Sequence, residues 1–60
     1  MVYEKIKEIC DKKKISISAL EKMAGLGNGT IGGWRTKSPT LDNLQAVANA
    51  LGVKINKLIA

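Results

Sequence analysis

The feature that most constrains the fold of this chain is a three-residue turn, Gly25-Leu26-Gly27, between two short apolar segments. The segment before it, residues 17–24, has apolar residues at helical spacing: Leu20, Met23 and Ala24. Ser16 is a candidate N-cap for this segment, and Ser18 with Glu21 three residues later is a competing capping box. Gly25 is a natural left-handed end for such a helix, and Leu26 would pin the turn. The pattern predicts two helices joined at a steep angle.

The segment after the turn, residues 27–34, gives conflicting signals. Ile31 and Trp34 are apolar and three residues apart, which suits a helix packed on a core, and Trp34 is expected to be largely buried there. The segment also contains residues that each cost up to about 1 kcal/mol relative to Ala in a helix: Gly29, Gly32 and Gly33. Propensity alone predicts a loop, and a helix is expected only if the apolar residues hold it against the rest of the chain.

Further amphipathic helices complete the predicted fold. The first covers residues 2–13, with one apolar face of Val2, Ile6, Ile9 and Cys10. The clearest runs from the candidate N-cap Thr40 to Gly52, with an apolar stripe of Leu41, Leu44, Val47, Ala48 and Leu51. A short last helix is indicated by Val53, Ile55, Leu58 and Ile59. Residues 1–60 are therefore predicted to form a single all-α domain, a compact five-helix bundle.

Charge and cysteine content narrow the possible functions. Ten Lys and Arg residues against five Asp and Glu give a net charge of +5, which favours a polyanionic partner. The single cysteine, Cys10, excludes an internal disulfide and suits a cytoplasmic protein. There is no His and the acids are scattered, so we expect no enzyme, metal site, cofactor or small-molecule ligand. The apolar runs are too short for a membrane span, and no membrane partner is expected.

From Ser16 to Trp34 the sequence follows the pattern Ser-x-x-x-Leu-x-x-x-x-Gly-Leu-x-x-x-Thr-Ile-x-x-Trp. This resembles the Cro/cI-type (XRE-like) phage repressor helix-turn-helix domain. The similarity continues over Ser38-Pro39-Thr40-Leu41, Leu44, Ala48, Leu51-Gly52-Val53 and Leu58, and spans roughly residues 4–59. The resemblance implies a lambda-repressor-like bundle, with the helix-turn-helix at about residues 16–35. It also implies a transcriptional regulator whose partner is double-stranded DNA.

The resemblance further implies which residues contact DNA. Residues 27–34 correspond to the recognition helix in the major groove, and its base-contacting positions are Asn28, Gly29, Gly32 and Gly33. Contacts to the DNA backbone are expected from Ser16, Thr30, Thr36, Lys37, Ser38 and Thr40. Arg35, which directly follows the segment, is expected to join them through its charge. Because glycine has no side chain, only Asn28 is an obvious base reader, and its amide suits adenine.

Departures from the family pattern leave a second interpretation open. Glu21 replaces a usual small residue, Gly27 replaces a usual Ser, and Lys14 stands where a Gly often ends the first helix. The glycines also favour a repressor-like scaffold or protein-interaction domain with weak or lost DNA binding, whereas the +5 charge disfavours it. On DNA, two arrangements are open: a homodimer with a small two-fold contact through Leu58 and Ile59, or weak binding by the monomer.

Overall fold

The computed structural model describes residues 2–59, and over that range the chain is helical without strands. The elements, in chain order, are α1 (Val2–Lys13), α2 (Ile17–Met23), a 3₁₀ helix (Gly32–Arg35), α3 (Leu41–Leu51) and α4 (Asn56–Ile59). Helix α1 packs against α2, α4 and the 3₁₀ helix, and α2 packs against α3. The predicted all-α class is confirmed. Five α-helices were predicted, and the structure has four within residues 2–59. Turns and a 3₁₀ helix stand where the third α-helix was expected. Among these helices, none has the length and hydropathy of a membrane-spanning segment.

A single core of apolar side chains joins these elements. Its members are each at most 6% exposed: Ile6, Cys10, Leu20, Ile31, Trp34, Leu44, Val47, Ala48, Leu51 and Leu58. The burial expected for Trp34 is therefore confirmed. Two residues that the apolar pattern places on inner faces, Met23 (57%) and Leu41 (71%), are exposed, and so is Ile59 (57%). Each is the first or last residue of its helix, where neighbouring elements no longer cover the apolar face.

Three helices end in the same left-handed turn. In each, a backbone N–H reaches back five residues: Ile15 to the carbonyl of Cys10 (3.0 Å), Leu26 to Glu21 (2.8 Å) and Val53 to Ala48 (3.0 Å). The residue before each donor has positive φ: Lys14 (60°), Gly25 (73°) and Gly52 (70°). This is the Schellman motif, which satisfies carbonyls at a helix end. The predicted stops at Gly25 and Gly52 are confirmed, and Lys14 adopts the conformation that glycine favours.

Two of the helices begin at the predicted caps. The Ser16 hydroxyl oxygen accepts a hydrogen bond from the N–H of Ala19 at 2.9 Å, and the Thr40 hydroxyl oxygen accepts one from Asn43 at 3.2 Å. Each bond satisfies an N–H that has no partner within its helix. The competing capping box on Ser18 is wrong, because the Glu21 carboxylate is buried and bonded elsewhere.

Candidate nucleic-acid interface

The segment of residues 27–34 is the element that the sequence assigns to DNA. Residues 28–31 form consecutive turns, and the 3₁₀ helix Gly32–Arg35 follows. Gly29 has φ of +86°, a left-handed conformation that interrupts a right-handed helix. An α-type bond still joins the N–H of Gly33 to the carbonyl of Gly29 at 3.0 Å. The expectation of a continuous recognition helix is therefore wrong. A compact turn that leads into a 3₁₀ helix occupies its place.

The carboxylate of Glu21 holds this turn against α2. Glu21 is 3% exposed, and its two oxygens accept hydrogen bonds from the N–H groups of Gly29 (3.1 Å) and Ile31 (2.8 Å). Burying a carboxylate is costly unless charged hydrogen bonds compensate it, and these two bonds supply that compensation. The sequence pattern placed Glu21 in a capping box and missed this role. The usable signal was a charged residue at a position where similar domains carry a small one.

A groove of about 280 Å³, named the polar groove here for its Thr, Ser, Lys and Asn side chains, brings the segment and the following loop together. Its lining residues are Gly29, Thr30, Gly33, Trp34, Lys37, Ser38, Pro39, Thr40 and Asn43. Six of the residues expected to contact DNA therefore lie on one groove: Gly29, Thr30, Gly33, Lys37, Ser38 and Thr40. Thr40 and Asn43 belong to the start of α3, so the positive end of that helix dipole adjoins the groove.

The expected residues that do not line this polar groove are Ser16, Asn28, Gly32, Arg35 and Thr36. Arg35 and Thr36 line a second cleft, of about 320 Å³, next to Val2 at the start of α1. The Thr36 hydroxyl donates to the carbonyl of Gly33 at 3.3 Å, so its proton is already engaged. Asn28 and Ser16 are exposed but line neither cavity. Asn28 lies on the turn that Glu21 fixes.

The side chain of Arg35 folds back across the 3₁₀ helix. Its Nε donates to the carbonyl of Gly32 at 3.1 Å, and the guanidinium carbon lies 5.4 Å from the centroid of the Tyr3 ring on α1. An arginine at this distance from an aromatic face is held by a cation–π attraction. Tyr3 has no place in the sequence-based site. It lies far away along the chain, and only the packing of α1 against the 3₁₀ helix brings the two together.

Along the chain, the segment between Glu21 and Asp42 carries charge of a single sign. Between Glu21 and Asp42 the chain carries Lys22, Arg35 and Lys37 and no acidic residue. Helix α1 differs, because two of its lysines have acidic neighbours: Lys7 lies 2.6 Å from Asp11, and Lys12 lies 3.7 Å from Glu8. The hydrogen bond and charge of Asp11 raise the pKa of Lys7. The loop after the 3₁₀ helix offers the ammonium group of Lys37 to an external anion, and Asp42 at the start of α3 is the next acidic residue along the chain.

Comparison with known proteins agrees with this geometry. The sequence profile of a family described as helix-turn-helix matches residues 6–58, which include α2, the turn and both sides of the polar groove. No curated protein and no solved structure matches the chain. The matching family is one of DNA-binding transcriptional regulators and is typically not enzymatic. The chain therefore belongs to the helix-turn-helix family of the Cro/cI (XRE) type.

Proposed function

We propose that this chain is a sequence-specific double-stranded DNA-binding regulator of the repressor type, with residues 27–34 in the major groove. The observation that carries the proposal is the polar groove. Its lining combines the glycine-containing turn with hydroxyl groups, an ammonium group and the N-terminus of a helix. Contacts to phosphate position a protein on the duplex, and contacts to base edges supply specificity. The groove and the turn next to it offer both kinds of contact within one surface.

Phosphate contact is assigned first to the groove residues Lys37, Ser38 and Thr40. The Thr40 oxygen accepts a bond from Asn43, which leaves the hydroxyl proton free to donate to phosphate. The first-turn amides of α3 add partial positive charge, although Asp42 in the same turn offsets part of it. Ser16 has the same geometry as Thr40, since its oxygen accepts a bond from Ala19. Thr30 adds a hydroxyl on the groove wall, whereas the engaged hydroxyl makes Thr36 a weaker donor.

Base contact is assigned to the turn itself. Asn28 is exposed, and its amide can bond to both N6 and N7 of an adenine. Gly29 and Gly33 contribute differently, because residues without side chains let the backbone approach the base edges closely, whereas Gly32 lies beneath the Arg35 side chain. The 27–34 segment thus combines one reading side chain with two positions of close approach.

We further propose that the protein binds its operator as a homodimer, with half-sites about one DNA turn apart. Of the two residues expected to form the two-fold contact, Leu58 is only 1% exposed and belongs to the core of its own chain. Ile59, which is 57% exposed, remains available for that contact. The competing function is a protein-interaction scaffold, which the exposed apolar residues Met23, Leu41 and Ile59 favour.

The proposal is tested by titrating a labelled random duplex with the protein between about 50 and 200 mM salt. A DNA-binding protein loses affinity with a log–log slope of roughly −0.9 per phosphate contacted. Lys37→Ala should weaken binding to all sequences and flatten the slope by about one contact. Lys12→Ala removes the same charge from α1, where Glu8 is nearby, and should change the slope less.

Sequence preference is tested on the same protein with Asn28→Ala. This variant should lose discrimination at one base pair of a selected duplex while keeping the salt slope of the unmodified chain. An absence of binding at the lowest salt would reject the DNA hypothesis and leave the scaffold function in its place.

A further inference from the structure

We infer that Arg35 is a second base-reading side chain, held by Tyr3 in the space that Gly32 leaves open. The inference rests on the proposed function, because it takes the face of Gly32 as the face toward the bases. It changes the role of Arg35, whose sequence-based assignment is a phosphate contact. It also supplies what the glycine-rich surface lacks, namely a side chain that can recognise a second base.

The first observation is that Arg35 covers Gly32. The two residues are the ends of the 3₁₀ helix, in which side chains three positions apart eclipse one another. A Cβ built on Gly32 would lie 4.0 Å from the terminal Nη2 nitrogen of Arg35. The bond from Nε to the carbonyl of Gly32, at 3.1 Å, fixes the guanidinium over the same residue. The guanidinium therefore occupies the direction that a side chain at position 32 would take.

The second observation is that Tyr3 holds the guanidinium from another element. The ring lies on α1, with its centroid 5.4 Å from the guanidinium carbon. Arginine has many rotamers, and ordering them on binding opposes affinity. Two fixed contacts, to Gly32 and to Tyr3, remove much of that freedom before DNA arrives. Tyr3 is thus a positioning residue, which acts through Arg35 rather than on DNA.

The chemistry of the remaining donors selects the target. Nε is used by the Gly32 carbonyl, which leaves the N–H groups of Nη1 and Nη2 for a ligand. Paired donors of a guanidinium match the O6 and N7 acceptors that guanine presents in the major groove. We therefore assign guanine to Arg35, next to the adenine assigned to Asn28.

The experiment is a selection from randomised duplexes, followed by salt titrations on the preferred duplex. The variants are Arg35→Ala, Arg35→Lys and Tyr3→Leu. Tyr3→Phe is the matched control, because it keeps the aromatic face. Circular dichroism on each variant establishes that it is folded. Arg35→Lys is the sharpest variant, since it keeps the charge and removes the planar pair of donors.

The expected result is loss of a guanine preference of roughly 5- to 150-fold at one position in Arg35→Ala and Arg35→Lys, with binding to random DNA retained in Arg35→Lys. Tyr3→Leu should weaken that preference, and Tyr3→Phe should keep it. Two outcomes would overturn the inference while the proposed function stands. One is a uniform loss in Arg35→Ala with a slope flattened by about 0.9, which marks a phosphate contact. The other is an unchanged guanine preference in Arg35→Lys. If the unmodified protein fails to bind DNA, the proposed function itself is rejected, and the inference is rejected with it.

Discussion

Among single residues, Glu21 shows how a buried charge organises a surface loop. Its oxygens lie 3.1 and 2.8 Å from two backbone nitrogens of the turn that carries Asn28. Those N–H groups belong to a stretch that forms no regular helix, so within their own segment they would lack partners. The buried carboxylate gives these N–H groups acceptors, and the N–H groups give the carboxylate donors. Neither partner is then left buried without a hydrogen bond.

Replacing Glu21 with Gln keeps the size of the side chain but exchanges one acceptor oxygen for an NH₂ donor. That donor would face a backbone N–H, so one buried N–H loses its partner. We expect the free energy of unfolding to fall by about 2 kcal/mol, measured by urea denaturation. Glu8→Gln is the matched control, because Glu8 is 72% exposed and should change stability by less than about 0.5 kcal/mol. Equal free energies of unfolding in the two variants would show that the two hydrogen bonds of Glu21 do not stabilise the fold.

At the scale of elements, the glycines of the 27–34 segment differ in whether their backbone conformation requires a residue without a side chain. Gly29 has φ of +86°, whereas Gly33 is not among the residues with positive φ. A Cβ at Gly33 would meet nothing within 4 Å. Gly29 lies in the turn and Gly33 in the 3₁₀ helix that follows it, and only Gly29 has a backbone conformation that favours glycine.

Gly29→Ala should therefore destabilise the protein by about 1 to 2 kcal/mol, because alanine is strained in the left-handed region. Gly33→Ala should be neutral or stabilise it by up to about 1 kcal/mol, because alanine restricts the unfolded chain. Thermal unfolding of the two variants side by side measures the difference. A loss of stability in Gly33→Ala equal to that in Gly29→Ala would contradict the assigned turn.

The end of α1 offers a second test at this scale. Lys14 adopts φ of +60°, the conformation that Gly25 and Gly52 adopt at the ends of α2 and α3. Lys14→Gly should raise the free energy of unfolding by about 1 kcal/mol, since glycine carries no steric penalty there. Lys5→Gly makes the same chemical change inside the helix and should lower it by about 1 kcal/mol. The opposite order of stability for these variants would refute the Schellman end of α1.

Sequence patterns predicted the features of this fold that depend on near neighbours. The caps at Ser16 and Thr40 are formed three residues from their partners, and the stop at Gly52 follows from one residue's conformation. The bonds of Glu21 reach eight and ten residues along the chain, through a turn whose shape is fixed by Gly29. Periodicity could not predict them.

The candidate site likewise contains features that the sequence predicted and features that it could not predict. Resemblance to the repressor domains placed Ser16 and positions between 28 and 40 in the site, and six of the expected residues do share the polar groove. The contact of Arg35 with Tyr3 depends on how α1 crosses the 3₁₀ helix, which a one-dimensional pattern does not contain. Residues at the ends of the apolar stripes, such as Leu41, were wrongly predicted to be buried. Periodicity identifies the apolar face of a helix but not how far neighbouring helices extend over it.

For the whole molecule, sixty residues bury a limited fraction of their surface, so stability is small and unfolding should be cooperative. Trp34, the single tryptophan, is 6% exposed in the core, and its fluorescence should report global unfolding. We expect the fluorescence and far-ultraviolet circular dichroism transitions in urea to coincide, with a slope near 1 kcal/mol/M. Separate midpoints would mean that the 3₁₀ helix, which carries Trp34, unfolds apart from the other helices.

The same measurement has a predicted pH dependence. Burial raises the pKa of the Cys10 thiol, with a smaller contribution from Asp11, so the folded chain holds this proton more tightly than the unfolded chain. This contribution to stability is complete below the ordinary thiol pKa of about 8.5 and is lost as pH rises above it. The urea midpoint should therefore fall between pH 7 and about pH 9.5. Cys10→Ala should flatten that fall, and an equal slope in the variant would assign it to another group.

The open space at Gly33 has a consequence for evolution. The turn is held through backbone N–H groups by Glu21, and a side chain added at position 33 would meet nothing within 4 Å. New side chains at this position are therefore nearly free of folding constraints, and selection could act on them through the bound partner alone. A lineage with this scaffold could change its target by single substitutions at one codon while keeping its stability, and a laboratory library randomised there would explore the same route.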